Sequence, residues 1–248
     1  MKCKAIKTKL EAILPLRNLF LQETNFQIRY NACHERGWTD SYLLKVDAKE
    51  VGYGSINGQE IKNRDTIFEF FLVPPYRKLA SRIFPELIAA SAVKLIECQS
   101  NDFLLTSMLY EFAQNIRSEV VLFEDPVVTE HTIPGVVFRA RKKGEIIKHN
   151  ADPGDYLLEL DGEIVATGGF LLHYNMPFAD FYMDVREDSR RKGLGSYLLQ
   201  EIKKECYLAG RVPAARCQIE NPVSRATLRK AGLKECGFML IGDIKEMS

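Results

Sequence analysis

Asp184-Val185-Arg186-Glu187-Asp188-Ser189-Arg190-Arg191-Lys192-Gly193-Leu194-Gly195-Ser196-Tyr197-Leu198-Leu199 places a glycine-punctuated basic turn between an apolar strand and an amphipathic helix. Gly193 and Gly195 lack the β-carbon that would hold a ligand away from the backbone. The first N–H groups of the helix have no intrahelical partner, and its dipole is positive at that end. Backbone N–H groups from Arg191 through Leu194 to Ser196, with the charges of Arg190, Arg191 and Lys192, therefore predict a cradle for a phosphate or pyrophosphate. The alternative is a solvated basic turn ahead of a helix.

Outward from the turn, the preceding strand is read over Ala179–Val185. Period-two alternation puts Asp180, Tyr182 and Asp184 on one face and Phe181, Met183 and Val185 on the other. After the turn, Leu198, Leu199, Ile202 and Cys206 share one face of a helix over Tyr197–Leu208. A strand at Ala215–Ile219, a helix at Pro222–Ala231 and a strand at Cys236–Ile241 follow. Upstream, strands are expected at Val136–Ala140, Tyr156–Leu160 and Ile164–His173.

The same pattern is written a second time. Tyr42-Leu43-Leu44-Lys45-Val46-Asp47 and Val51-Gly52-Tyr53-Gly54 match Tyr156-Leu157-Leu158-Glu159-Leu160-Asp161 and Val165-Ala166-Thr167-Gly168, displaced by 114 residues. Each copy reads as strand, tight turn, strand. The same displacement lays Tyr76-Arg77-Lys78-Leu79-Ala80-Ser81 over Arg190-Arg191-Lys192-Gly193-Leu194-Gly195, so the first copy keeps basic residues and lacks both glycines. A helix over Ile83–Ile96 follows. Glu97-Cys98-Gln99-Ser100-Asn101-Asp102 then resembles Arg216-Cys217-Gln218-Ile219-Glu220-Asn221, and each leads into a short helix. Two tandem α/β (α+β) units of common ancestry are expected, 1–130 and 131–248, divided near Asp125 to Gly135.

Arg190-x-x-Gly193-x-Gly195, the element order from Val136 to Ile241, and the later Asn221 and Lys230-Ala231-Gly232-Leu233 together resemble the GNAT family of N-acetyltransferases. The arrangement is similar to tandem GNAT proteins with a degenerate N-terminal half. The resemblance implies a mixed, mostly antiparallel sheet flanked by helices in each unit, and acetyl-CoA as co-substrate. It implies that Arg190 to Ser196 hold the pyrophosphate, that backbone amides near Met183 and Val185 meet pantetheine where neighbouring strands splay, and that Asn221 and Ser224 at the next helix start touch CoA. The first unit, with Leu79 and Ser81 in place of glycines, is expected not to bind CoA and to shape the acceptor cleft near the groove between units.

Acyl transfer to an amine requires that the ammonium lose a proton. Asp180 with Tyr182 as orienting partner, Asp184, Glu220 and His173 are the candidates; each is also readable as a surface or structural residue. The family often places a Tyr seven residues after the Asn of the second motif, to protonate the departing thiolate; Leu228 stands there. Tyr174, Tyr182 or Tyr197 then acts, or the thiolate leaves unaided. Cys217, on an apolar strand, is expected to be an inert buried thiol. Phe20, Phe26, Tyr30, Phe68, Phe70 and Phe71 are expected in the core, and Trp38 either caps the core or lines an acceptor pocket.

Among 248 residues, 34 Lys and Arg balance 33 Asp and Glu, so no global field favours nucleic acid or an anionic membrane. Six cysteines show no metal-ligand spacing, and no bound metal is expected. No apolar run approaches a membrane span, and the first residues lack a signal-peptide core, so a cytoplasmic protein is expected. The expected activity is acetyl transfer from acetyl-CoA to a primary amine of a small molecule or peptide in a ternary complex. The alternatives are a non-catalytic acyl-CoA-binding or interaction module and, against the charge balance, an aminoacyl transferase using charged tRNA. The acceptor is expected to be read by variable loops such as Gly144 to Pro153 and His173 to Pro177.

Overall fold

The computed structural model describes residues 1–23, 27, 30–147 and 153–246. Phe26 and part of the Gly144 to Pro153 loop lie outside the described residues. The chain forms two compact units, Met1–Glu119 with Gly237–Ser248, and Val120–Cys236.

Unit 1 contains β1 (Cys3–Thr8), α1 (Leu10–Glu23), α2 (Tyr30–Glu35), β2 (Thr39–Val46), β3 (Lys49–Asn57), β4 (Thr66–Leu72), α3 (Ala80–Ser91), β5 (Leu95–Gln99), α4 (Phe103–Phe112) and the first half of β6 (Ala113–Glu124). Its strands are ordered β1-β2-β3-β4-β5-β12-β6, where β12 (Lys234–Ile244) enters from the far end of the chain. Met239 to Asp243 pair antiparallel with Gln99 to Leu95. One sheet face packs on α3 and α4 through Phe70, Leu72, Ile83, Phe84, Leu87 and Leu109; the other packs on α1 through Ile13, Phe20, Leu43, Tyr53 and Phe71.

Unit 2 contains the second half of β6, β7 (Val136–Ala140), β8 (Tyr156–Leu160), β9 (Glu163–Leu171), β10 (Phe178–Val185), α5 (Leu194–Leu208), β11 (Val212–Gln218) and α6 (Pro222–Lys230). Its strand order is β6-β11-β10-β9-β8-β7, antiparallel except for the β10–β11 pair. Leu198, Leu199, Ile202 and Cys206 bury one stripe of α5 against Leu158, Ala166, Phe181, Ala215 and Cys217, and Leu228 of α6 closes that core.

The duplication is visible in backbone detail. Asp47 and Asp161 both adopt left-handed backbone, at φ 54° and 53°, in the two hairpin turns. An Asp side chain tolerates that region better than most. Both hairpins also shift register at equivalent places, Leu44/Lys45 and Leu158/Glu159. Asp102 caps α4 by accepting from the Leu105 N–H, and Asn221 caps α6 by accepting from the Ser224 N–H at 2.9 Å.

Three expectations change. The division at 130/131 assigned the last strand to the second half, whereas from Gly237 onward it completes the sheet of unit 1. The helix expected over Ile83–Ile96 ends at Ser91, because Ala92 turns left-handed at φ 53° and Leu95 starts β5. The constant displacement of 114 also fails at the basic turn. Arg77 Nε donates to the Leu72 carbonyl at 3.1 Å and Arg190 Nε to the Val185 carbonyl at 3.0 Å, so Arg77, not Tyr76, is the counterpart of Arg190. The helix caps, Leu79 and Gly193, still lie 114 apart. Unit 2 therefore has one extra residue in this turn.

Candidate active site

That extra residue accompanies a change of backbone. In unit 1 the turn is a 3-10 helix, Pro74–Leu79, running into α3, and its cap Leu79 sits at φ −102°. In unit 2 Arg191 and Gly193 are both left-handed, at φ 64° and 81°. For Arg191 this is a strained conformation, and Gly193 reaches it without a β-carbon clash. Gly193 caps α5 with no side chain, and the first intrahelical bond runs from Tyr197 N to the Gly193 carbonyl. The N–H groups of Leu194, Gly195 and Ser196 lie before that first bond, at the positive end of the helix dipole. Ser196 Oγ donates to the Gly193 carbonyl at 2.9 Å. Gly195 permits close packing: a β-carbon there would lie 3.1 Å from Thr227 Cγ2 and 3.2 Å from Met183 Sδ.

The strand leading to the turn is open on one edge. β10 pairs with β9 throughout Asp180–Val185, but with β11 only from Phe178 to Asp180. Arg186 N donates to the Val165 carbonyl, which fixes the alternation along the antiparallel pair. Asp180, Tyr182 and Asp184 then turn their backbone groups toward β9, while Phe181, Met183 and Val185 turn theirs toward the side where β11 has parted. Arg190 takes the Val185 carbonyl, and its guanidinium also lies 3.9 Å from Asp184 and 3.5 Å from Glu187. Arg190, Arg191 and Lys192 are exposed.

Residues 9–126 match the model described as acetyltransferase (GNAT) domain, and residues 122–233 match the acetyltransferase (GNAT) family. The chain belongs to the GNAT family, with two such domains in tandem. Among solved structures, a GNAT-family acetyltransferase from Colwellia psychrerythraea aligns at TM-score 0.76 with 12% identity, covering 99% of this chain and 100% of its own. A tandem GNAT protein from the clavulanic acid biosynthesis pathway aligns at 0.62 with 10% identity over 100% of both chains. A GCN5-related N-acetyltransferase from Sphaerobacter thermophilus aligns at 0.50 with 13% identity, covering 84% and 82%. At these identities the likeness is one of fold. No curated protein sequence matches the chain.

In this tandem GNAT protein, the expected acceptor-side residues are distributed unevenly. Asp180 is buried, at 8% exposure, and its Oδ2 lies 3.0 Å from His173 Nε2. Arg216 Nε, on β11 two residues past the last β10 contact, lies 3.9 Å from the same oxygen. The partner given to Asp180 is thus His173, where the sequence suggested Tyr182. The Tyr182 ring instead lies across Gly169, with its hydroxyl against Gly154: a β-carbon on either glycine would lie 2.8 Å from that oxygen. Glu220 is exposed in the turn after β11. Asn221 Oδ1 is engaged in the α6 cap, and the Ser224 side chain hydrogen-bonds Cys217. Burial nevertheless raises the Cys217 thiol above its ordinary range, in keeping with an inert cysteine. Leu228 is buried in the core.

Unit 1 reproduces the strand opening without the cradle. β4 pairs with β5 only through Thr66 and Ile67, and Ile67 stands where Asp180 stands in unit 2. Two residues on, at the counterpart of Tyr182, sits Glu69, which is completely buried. Arg17 of α1 binds it through Nε and Nη2 at 3.1 Å, His34 Nε2 lies 3.1 Å away, and the Tyr53 hydroxyl donates at 3.0 Å. Arg17 Nη1 also donates to Asn31 Oδ1 at 2.8 Å, and Thr39 meets His34 Nδ1 at 2.9 Å. Burial alone pushes the Glu69 carboxyl up, but the Arg17 charge, then His34, outweigh it and hold it at about 2. The sequence reading missed this network and Arg216. A Glu inside the apolar run Ile67-Phe68-Glu69-Phe70-Phe71-Leu72 was the available signal, since a buried carboxylate needs a cation.

Of the aromatic residues, Phe20, Tyr30, Phe68, Phe70 and Phe71 are buried. Trp38 is half-buried beneath the Arg36 guanidinium, 4.8 Å from its ring centroid. No cluster of three or more potential metal ligands occurs among the described residues. No helix among them is long and apolar enough to cross a membrane.

Proposed function

We propose that unit 2 transfers an acetyl group from acetyl-CoA to the primary amine of a small molecule or peptide, by direct attack in a ternary complex. The supporting observation is the coincidence of two features in one unit: a β10 edge unpaired beyond Asp180, and an α5 start whose left-handed Arg191–Gly193 turn leads into uncapped N–H groups. The amides from Arg191 to Ser196 serve the pyrophosphate, and Arg190, Arg191 and Lys192 supply charge. Met183 and Val185 present amides that pair with the pantetheine arm as an added strand would. Asn221 and Ser224 border the same ligand from α6. Asp180 is the best-placed carboxylate for proton handling; Tyr182 on the same strand and Glu220 after β11 are secondary candidates.

The corresponding turn of unit 1, Pro74–Leu79, is a 3-10 helix without a left-handed residue, and its Arg77 is bound to Glu23 and to the Leu72 carbonyl. Unit 1 is assigned the supporting role. A second reading, a non-catalytic acyl-CoA-binding module, draws on Leu228, which leaves no tyrosine at the usual thiolate-protonating place. Thiol release from acetyl-CoA over a panel of amines separates the two. The transferase reading expects turnover that falls by roughly 100-fold or more in Asp180→Ala. CoA binding without turnover of any amine favours the second reading.

A further inference from the structure

We infer that His173 is the catalytic base, that Asp180 is its positioning residue, and that the acceptor is a monoamine carried on an apolar body. The inference rests on the transferase reading of unit 2. Asp180 is the last β10 residue paired with β11, so its side chain lies at the apex where the strands part. His173 comes to it from the β9–β10 turn, Nε2 to Oδ2 at 3.0 Å. A carboxylate on one ring nitrogen fixes the tautomer: Nε2 carries the hydrogen, and Nδ1 keeps the lone pair. The His173 side chain keeps 17% of its surface and that of Asp180 11%, so the pair is sheltered yet reachable. The charged groups facing it are Asp180 from β10 and Arg216 from β11. In unit 1, which lacks the cradle, the apex residue is the buried Ile67. The dyad and the cradle therefore occur together and are absent together.

The surroundings limit the acceptor. Leu171 is the cross-strand partner of Asp180, on the same face, and is 45% exposed. Leu172 and Met176, on either side of His173 in the turn, are 59% and 65% exposed. Arg211 donates to the Leu172 carbonyl at 3.3 Å and to Met176 Sδ. An apolar rim with Arg211 and Arg216 beside it repels a polycation and accommodates a hydrocarbon or aromatic body.

In the step, His173 Nδ1 takes one proton from the acceptor ammonium, and the imidazolium is held by Asp180. The freed amine lone pair forms a bond to the thioester carbonyl carbon, and the carbon–sulfur bond breaks. The second nitrogen proton passes to the departing thiolate, giving amide and thiol, and His173 returns its proton to water.

The test measures thiol release by the full chain with hexylamine, 2-phenylethylamine and spermidine. Both monoamines are expected to exceed spermidine in kcat/KM by about tenfold or more. His173→Ala and His173→Gln are expected to lower kcat by roughly 100-fold with acetyl-CoA affinity unchanged, and added imidazole to restore part of kcat in His173→Ala. Asp180→Asn is expected to lower kcat with KM for acetyl-CoA unchanged, and imidazole to leave it unrescued. Should His173→Ala lose its fold, His173→Gln carries the test. Full kcat in a folded His173→Gln protein, with the unaltered protein active, overturns the dyad alone. A preference for spermidine overturns the apolar acceptor. No turnover of any amine by the unaltered protein overturns the transferase reading and this inference with it.

Discussion

Replacing Arg17 by Met tests the buried network of unit 1 most sharply, because it reverses a sign as well as changing a magnitude. The Glu69 carboxyl is held near 2 against an ordinary 4.5. A depression of that size corresponds to about 3 kcal/mol of stability, fully present above pH 4.5 and lost as pH falls through 2. Removing Arg17 leaves burial, the largest influence on this carboxyl, opposed by His34 and the Tyr53 hydroxyl. The Glu69 pKa then rises above 4.5, and a raised carboxyl contributes stability at low pH that is lost as pH increases. The variant is expected to lose roughly 3–5 kcal/mol at pH 7, the usual cost of breaking a buried pair. Its stability should fall as pH rises from 4.5 through the raised pKa, a range in which the native contribution of Glu69 is constant, whereas the native contribution grows with pH between about 2 and 4.5. Trp38, the only tryptophan, lies in unit 1 and reports on it directly. Urea unfolding followed by its fluorescence between pH 3 and 7 supplies both numbers. A loss below about 1 kcal/mol, as for an exposed pair, or a variant whose stability does not fall relative to the native protein as pH rises above 4.5 refutes the argument.

Other consequences are simpler to measure. Lys203→Met should destabilise unit 2 by roughly 3–5 kcal/mol in thermal or urea unfolding, because Lys203 and Asp125 form a buried pair at 2.5 Å. Burial pushes the Cys98 and Cys206 thiols up to about 12, so a thiol reagent at pH 8 should leave both unlabelled in the folded protein, while partly exposed Cys3 and Cys236 react; mass spectrometry reads the sites. Asn221→Ala should cost about 1 kcal/mol through loss of the α6 cap, measured by unfolding, and Asn221→Asp should restore most of it.

The repeated hairpin was legible in the sequence because its determinants are local: an Asp able to adopt left-handed backbone, with β-forming residues at period two on both sides. The glycine turn was legible for the same reason. The partner of the last strand was not, since the pattern of Lys234–Ile244 specifies a strand and says nothing of which sheet needs one. Asp180 and His173 were each singled out, yet their pairing depends on how a six-residue connection folds back between β9 and β10. Arg216 was hidden inside a strand that reads as apolar. Glu69 sits among aromatic residues whose pattern specifies a buried strand, although a lone carboxylate in such a run is the stronger signal. The extra residue in the second turn is invisible to a single constant displacement, because the helix caps on its far side return to the same spacing. Only the matching Arg77 and Arg190 bonds to the strand carbonyls show where the copies part.

Titration of acetyl-CoA by calorimetry into the native protein, Gly193→Glu and Leu79→Glu tests the central assignment most directly. The account predicts one site per chain, lost in Gly193→Glu with the circular dichroism of a folded protein, and unchanged in Leu79→Glu. Two sites per chain, or undiminished affinity in Gly193→Glu, would contradict it.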